Sequence, residues 1–324
     1  MREVTYAVAL NEALREEMRS DDKVIILGED VGPYEGVFKV TKGLFAEFGG
    51  RRVRDTPISE NAIAGAGLGA AIAGLKPVIE IMYMDFINEA CDQIVNHIPK
   101  VHYMSNGKLK VPLVIRTQFS LGRSTGAQHS QMMGSFFMNT PGIYVAVPST
   151  PKDAKGLLKE AIRGNNPVLF VECGQLYSTK GPIPDEDYTI PFGKAEVVRE
   201  GSDVSIIAVS SMVQKALHSA ESLQREKGIS AEILDPRTLN PLDRTAFAKS
   251  AKKTGRVAIV EPDPKTSGIG AELSSVIMEE AFDYLEAPVA RVACPDIPAP
   301  FSPPLQELYV PSENRIIDAV NGLF

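Results

Sequence analysis

The sequence predicts an α/β protein made of two parallel-sheet units joined by a linker. Short apolar runs such as Val24-Ile25-Ile26-Leu27, Val111 to Thr117 and Pro167 to Glu172 read as buried strands. Helical stretches alternate with them, which is the pattern of a parallel sheet covered on both faces. A Pro- and acid-rich stretch, Gly-Pro-Ile-Pro-Asp-Glu-Asp at 181–187, closes the first series before a second begins. The predicted domains are 1–188 and 201–324, with a linker at 189–200.

Taken in order, Leu10, Leu14 and Met18 at four-residue spacing make Thr5 to Arg19 an amphipathic helix. The strand Val24 to Leu27 then ends in Gly28-Glu29-Asp30-Val31-Gly32. An acidic loop at a strand's carboxyl end is where open α/β sheets place ligands. Pro57 and the Ser59 hydroxyl predict a turn and an N-cap, so a helix starts near Glu60 and runs to about Leu75 before Lys76-Pro77 stops it. Past Glu60 and Asn61 this helix carries no charge and is rich in Gly and Ala, so it should be buried on every face, against other backbones or another subunit. Read from spacing alone, Glu60 is a helix-start acid favoured by the dipole.

Val78 to Met84 is the next strand, followed by a helix from Asp85 or Phe86 to about Tyr103, kinked at Pro99. The loop from Gln118 to Ser130 is long, polar and glycine-bearing, as functional loops tend to be. Thr150-Pro151-Lys152-Asp153 caps and opens a helix to Arg163. In the second domain, strands are expected at 204–209, 231–234, 257–260 and 289–292, and helices at 212–226, 244–252 and 270–284. Gly268-Ile269-Gly270 lacks the third glycine of a dinucleotide fingerprint and reads as tight packing.

At 324 residues, 44% hydrophobic and 23% charged, the chain can fill two medium domains. Its net charge of -7 without a basic cluster points away from nucleic acid. No apolar run is long enough to span a bilayer and no signal core is visible, so the expected location is cytoplasmic. Cys91, Cys173 and Cys294 form no metal-ligand pair and should be reduced and buried. Of four histidines, His97, His102 and His218 lie on predicted helices and read as structural or solvated. His129, on the glycine-bearing loop beside Gln128 and Ser130, is the one placed for acid–base work. No Gly-x-Ser-x-Gly elbow and no phosphate-binding Gly-x-x-x-x-Gly-Lys loop occurs.

Seven motifs stand in order between residues 28 and 243: Gly-Glu-Asp-Val-Gly (28–32), Gly-Val-Phe-Lys-Val-Thr-Lys-Gly-Leu (36–44), Arg-Val-Arg-Asp-Thr-Pro-Ile-Ser-Glu (52–60), Asp-Phe (85–86), Ala-Gln-His-Ser-Gln (127–131), Pro-Ser-Thr-Pro-x-Asp-Ala-Lys-Gly-Leu-Leu (148–158) and Asp-Pro-Arg-Thr-Leu-x-Pro-Leu-Asp (235–243). Together they resemble the beta subunit of the thiamine-diphosphate-dependent component of 2-oxo acid dehydrogenase complexes, the pyruvate and acetoin types most. The resemblance implies a pyrimidine-binding parallel-sheet domain followed by a transketolase C-terminal-like α/β domain. It also implies that Glu60 bonds the cofactor's aminopyrimidine N1′ and favours the imino tautomer that takes the proton from thiazolium C2. Phe86 would flank the aminopyrimidine, Glu29 would belong to the polar wall, and His129 would assist transfer of the two-carbon unit to lipoamide.

Leu113, Ala161, Ile162, Gly164 and Asn166 match a loop that binds potassium in some relatives, with Gly164 where an aspartate is common. Phe136 stands where many relatives carry tryptophan, and Glu261-Pro262-Asp263-Pro264 interrupts the usual end of its strand. The chain has no Gly-Asp-Gly motif with a downstream asparagine, the pattern that holds magnesium and diphosphate in thiamine enzymes. An alpha subunit is therefore expected to supply them in a two-alpha, two-beta heterotetramer. The C-terminal domain, near Asp296 and Phe324, would dock the lipoyl acyltransferase. Two alternatives are a branched-chain 2-oxo acid dehydrogenase subunit and a catalytically impaired assembly subunit.

Overall fold

The computed structural model describes residues 1–324 and divides into two compact units. One comprises Met1–Ser120 with Phe136–Phe192, the other Leu121–Ser135 with Gly193–Phe324.

The first unit holds strands β1 (Arg2–Thr5), β2 (Val24–Gly28), β3 (Val53–Asp55), β4 (Lys76–Glu80), β5 (Val114–Phe119), β6 (Tyr144–Ala146), β7 (Val168–Cys173) and β8 (Lys180–Ile183). Six of them lie side by side in the order β6, β7, β5, β4, β2, β3, all parallel. Every residue of β2, β5 and β7 is buried, which explains why they read as continuous apolar runs. β1 and β8 form a separate antiparallel ribbon that the sequence pattern did not announce.

The helices are α1 (Tyr6–Ser20), α2 (Leu44–Phe48), α3 (Glu60–Ile72), α4 (Val101–Met104), α5 (Gly134–Met138) and α6 (Pro151–Arg163). α6 starts as expected, with the Thr150 hydroxyl accepting the Asp153 N–H at 3.1 Å. It packs on α1, and Lys155–Glu16 (2.7 Å) and Arg163–Glu17 (2.8 Å) ion pairs flank the contact. α3 stops at Ile72, short of Leu75, because Gly74 turns into the left-handed region at φ +93°.

The helix expected from Asp85 or Phe86 to Tyr103 is instead three pieces: a 3₁₀ segment Met84–Ala90, a π turn Asp92–His97 and α4. The Ile98 N–H reaches the Gln93 carbonyl, five residues back, and Pro99 has no N–H to resume the α pattern.

The second unit holds β9 (Glu196–Arg199), β10 (Val204–Ala208), β11 (Ala231–Asp235), β12 (Thr238–Asn240), β13 (Val257–Pro264) and β14 (Ala290–Cys294), with α7 (Met212–Lys227), α8 (Arg244–Thr254), α9 (Ile269–Ala281), α10 (Pro303–Tyr309) and α11 (Glu313–Asn321). Its sheet runs β14, β13, β10, β11, β9, with β9 alone antiparallel. β13 continues through Glu261-Pro262-Asp263-Pro264, and a register irregularity between Val260 and Pro264 accommodates the prolines. The Gly268-Ile269-Gly270 stretch packs tightly: a Cβ on Gly270 would sit 2.5 Å from Glu261 Oε1. All three cysteines are free; Cys173 and Cys294 are buried, whereas Cys91 is only partly so. No helix is long and apolar enough to cross a membrane.

Candidate active site

The site grows from the carboxyl ends of β2, β3 and β4. β2 ends at Gly28, where a Cβ would meet the Glu80 carbonyl oxygen at 2.9 Å, so this strand end is pressed against β4. Glu29, half-buried, leaves the strand, and Asp30 turns the chain at φ +55°. The Gly32 N–H then donates to Asp55 Oδ1 at 2.5 Å, tying the loop to the end of β3.

Glu60, also half-buried, opens α3. The Ser59 hydroxyl does not cap this helix as expected. It donates instead to the Pro57 carbonyl at 3.1 Å. Burial and then the like charge of Glu60 push the Glu29 pKa up, with Asp30 and Glu80 adding to the effect. The charge of Glu60 at the start of α3 therefore bears on Glu29.

Phe86 lies half-buried in the 3₁₀ segment that packs against α3. Its ring meets Tyr83 edge-on with centroids 6.0 Å apart, Tyr83 meets Phe38 at 5.7 Å, and Phe38 stacks on Tyr177 at 5.3 Å. The ring is thus the end of an aromatic row anchored in the core. α3 itself has two faces. Ile63, Ala64, Gly67, Leu68 and Ala71 are buried, while Asn61, Ala62, Ala66, Gly69 and Ile72 are exposed, so this chain does not cover the helix on every side as its composition implied. A Cβ on Gly67 would meet Ile79 Cγ2 at 2.8 Å, whereas one on Gly69 would meet nothing within 4 Å.

Beneath the Glu29 loop lies a cluster the sequence reading missed. Arg116 on β5 donates from Nε and Nη2 to the Glu172 carboxylate at 2.7 and 2.9 Å, and from Nη1 to Glu80 at 2.6 Å. The Tyr177 hydroxyl donates to Glu172 at 2.8 Å. Burial lifts Glu172 to a pKa of about 7, against the opposing pull of Arg116 and Tyr177. The available signal was a charge flanked by apolar residues in each of three predicted strands, Ile79-Glu80-Ile81, Ile115-Arg116 and Val171-Glu172-Cys173.

His129 is carried by the second unit, on a turn built from Gly122 and Gly126, both at positive φ. Its carbonyl accepts the Thr125 hydroxyl at 3.1 Å, Ser130 Oγ donates to the Gly126 carbonyl at 2.7 Å, and the Ser124 N–H donates to Gln306 at 2.8 Å. The imidazole is half-buried on this braced loop. His97, His102 and His218 are exposed and bond to Asp92, the Leu109 carbonyl and Glu313 respectively.

At the end of α6 a cavity of about 290 Å³ is lined by Ala161, Gly164 and Asn166, together with Tyr144, Glu160 and Phe192. Leu113 and Ile162 are buried beside this region without lining it, and the Leu113 carbonyl accepts the Val168 N–H at 2.9 Å.

Comparison with known proteins identifies this scaffold. Residues 2–180 match the family described as transketolase, pyrimidine binding domain, and residues 193–316 match transketolase, C-terminal domain. A pyruvate dehydrogenase E1 component subunit beta from Rickettsia felis is 44% identical, covering 98% of this chain and 97% of that one. The chain belongs to this beta-subunit family. Two Bacillus subtilis members, an acetoin:2,6-dichlorophenolindophenol oxidoreductase subunit beta and a 2-oxoisovalerate dehydrogenase subunit beta, are each 43% identical over 98% and 100% of the chain and 96% and 99% of their own. A split-gene transketolase, solved as an inactive beta4 tetramer, shares the fold with a TM-score of 0.81 at 24% identity, over 99% of this chain and 98% of its own. In this beta subunit the pyrimidine-binding match contains Glu29, Glu60, Phe86 and His129.

Proposed function

We propose that this beta subunit forms half of a thiamine-diphosphate-dependent dehydrogenase acting on pyruvate or acetoin, and that it passes a two-carbon unit to the lipoamide of an acyltransferase. The observation that carries the reading is the placement of Glu29 at the carboxyl end of β2, under the charge of Glu60 at the start of α3, with the segment bearing Phe86 packed against that helix. Two carboxylates, one of them with its proton affinity raised by burial and by the other's charge, together with an aromatic ring on the neighbouring segment, fit a protonatable aminopyrimidine.

Thiamine diphosphate, when bound, supplies the carbon nucleophile for attack on the substrate carbonyl. Glu60 would hold a proton at the aminopyrimidine N1′, Phe86 would flank that ring, and Glu29 would carry a proton in the polar wall. His129 would assist transfer to the lipoyl dithiolane. Magnesium and the diphosphate would be held by an alpha subunit, in a two-alpha, two-beta assembly, since this sequence lacks the Gly-Asp-Gly pattern. The uncovered face of α3 supports a subunit contact there. Potassium would lie at the end of α6, and the acyltransferase would dock on the C-terminal domain near Asp296 and Phe324. The assembly is assigned to the cytoplasm.

The test is co-purification with the alpha partner followed by dye reduction with pyruvate, acetoin and branched-chain 2-oxo acids. One substrate should be turned over, with Glu60→Gln slower by about 10²–10⁴-fold. Cofactor binding without turnover of any of them would instead favour an assembly role.

A further inference from the structure

The proposed chemistry gives no task to the ionised cluster under the Glu29 loop. Arg116 is 2% exposed and lies between Glu80 on β4 and Glu172 on β7, so two carboxylates share one guanidinium in the middle of a sheet. Apolar side chains filling the same space would hold the sheet at least as well, so fold stability alone does not account for the cluster.

The cluster reaches the site through both of its ends. At one end Glu80 pairs in register with Gly28, and a Cβ on Gly28 would lie 3.0 Å from Glu80 Cβ, so Glu29 leaves β2 beside that residue. Three acids act on Glu29: Glu60 from α3, Asp30 from its own loop and Glu80 from β4. At the other end Glu172 holds the Tyr177 hydroxyl, and the Tyr177 ring stacks on Phe38 in the row that ends at Phe86. Tyr6 and Cys173 are the further titratable groups near Glu172 and Tyr177.

We propose that Arg116 is a positioning residue for the Glu29–Glu60 pair: by gripping Glu80 and Glu172 at once, it fixes where the Glu80 carboxylate lies and how much negative charge faces Glu29. The inference rests on the reading of Glu29 and Glu60 as the groups that handle protons. Arg116 touches neither of them, so its effect travels through Glu80 on the polar side and Tyr177 on the aromatic side.

The test needs no cofactor or substrate. Thermal unfolding of the assembly with its alpha partner is followed against pH for wild type, Glu29→Gln, Glu80→Gln, the double variant and Arg116→Lys. Burial and the neighbouring acids raise the Glu29 pKa in the folded state, so stability falls as pH rises from the unfolded value toward the folded one. Glu80→Gln should narrow that window by about half a pH unit, roughly three-fold in proton affinity. The change should be larger with Glu29 present than in the Glu29→Gln background, where only the path through Glu172 remains.

Arg116→Lys, which keeps the charge but loses the fork, should shift the same window, again more with Glu29 present than in the Glu29→Gln background. Equal effects with and without Glu29, or a uniform loss of melting temperature with an unchanged pH profile, would reduce the cluster to a brace and overturn the inference. If Arg116→Lys fails to assemble, the Glu29/Glu80 cycle decides alone. Intact coupling with no turnover of any substrate would sink only the functional reading.

Discussion

Each sheet buries carboxylates near the carboxyl ends of its parallel strands, and the Glu80–Glu172 pair of the first and the Glu261–Asp263 pair of the second sit in different surroundings. In the first, Glu80 and Glu172 flank Arg116, and each receives guanidinium bonds of 2.6–2.9 Å. In the second, Glu261 and Asp263 alternate along β13. Glu261 accepts the Gly270 N–H at 2.6 Å and pairs with Arg291 at 2.7 Å. Asp263 forms no ion pair; Ser135 and the Ile269 N–H favour its charged form, but neither makes a hydrogen bond of good geometry. Burial and then the charge of Glu261 push the Asp263 pKa well above the usual range. A buried acid stays ionised only where donors converge on it, and elsewhere a proton neutralises it. Behind the Glu29 loop Arg116 and Tyr177 oppose the rise that burial imposes on Glu172, which reaches about 7, whereas Asp263 has no ion pair to oppose its own rise.

The sharpest way to break that contrast is to remove the shared cation. Arg116→Met removes the cation from both Glu80 and Glu172, leaving Glu172 only the Tyr177 hydroxyl, and should cost about 3–5 kcal/mol at neutral pH, measured by chemical denaturation. A loss below 1 kcal/mol would mean that water or a rearranged side chain already solvates the pair. Next in size is Tyr177→Phe, which deletes the hydroxyl bonded to Glu172 and should cost about 1.5–3 kcal/mol above pH 7, where Glu172 is ionised. The missing donor should also push the Glu172 pKa higher still.

A third pair of variants sharpens the comparison by sign. Glu172 titrates near 7 in the fold against an ordinary 4.5, so the unfolded chain releases this proton first and stability falls as pH rises between those values. The slope from one such group is at most about 1.4 kcal/mol per pH unit. Glu172→Gln should flatten it while also lowering stability, because Arg116 loses an ionic partner. Asp263→Asn should flatten a fall that begins near 3.8 and should leave the pH 7 melting temperature at or above that of wild type, because no cation is abandoned. A destabilised Asp263→Asn would show that Asp263 is ionised after all.

Much of this arrangement was legible in the chain. Apolar runs marked β2, β5, β7 and, in the second unit, β10, β11, β13 and β14, because buried parallel strands need no alternation, whereas β9 and β12 gave no such run; Glu60 was placed at a helix start by its turn and proline signals. The Arg116 cluster was not legible because its partners lie 36 and 56 residues away, and only the sheet order brings them together. The same holds for the His129 loop. Its assignment to the second unit rests on contacts such as the Ser124–Gln306 bond, 182 residues apart, which no local pattern encodes. The π turn at Asp92–His97 was missed because one proline in a helical stretch predicts a kink and not a change of hydrogen-bond period.

The smallest expected effect concerns how helix starts are satisfied, which again separates the acids. At α9 the Glu261 carboxylate accepts the Gly270 N–H from another strand, so that start is capped from a distance. At α3 the residue in the cap position, Ser59, turns its hydroxyl to the Pro57 carbonyl and leaves the first turn without a side-chain cap. Ser59→Ala should therefore change stability by less than about 0.5 kcal/mol. Thr150→Ala, at a cap that does accept an N–H, should cost about 1 kcal/mol. If Ser59→Ala costs as much as Thr150→Ala, the hydroxyl caps α3 in solution, and the turn that presents Glu60 is set by the cap and not by Pro57.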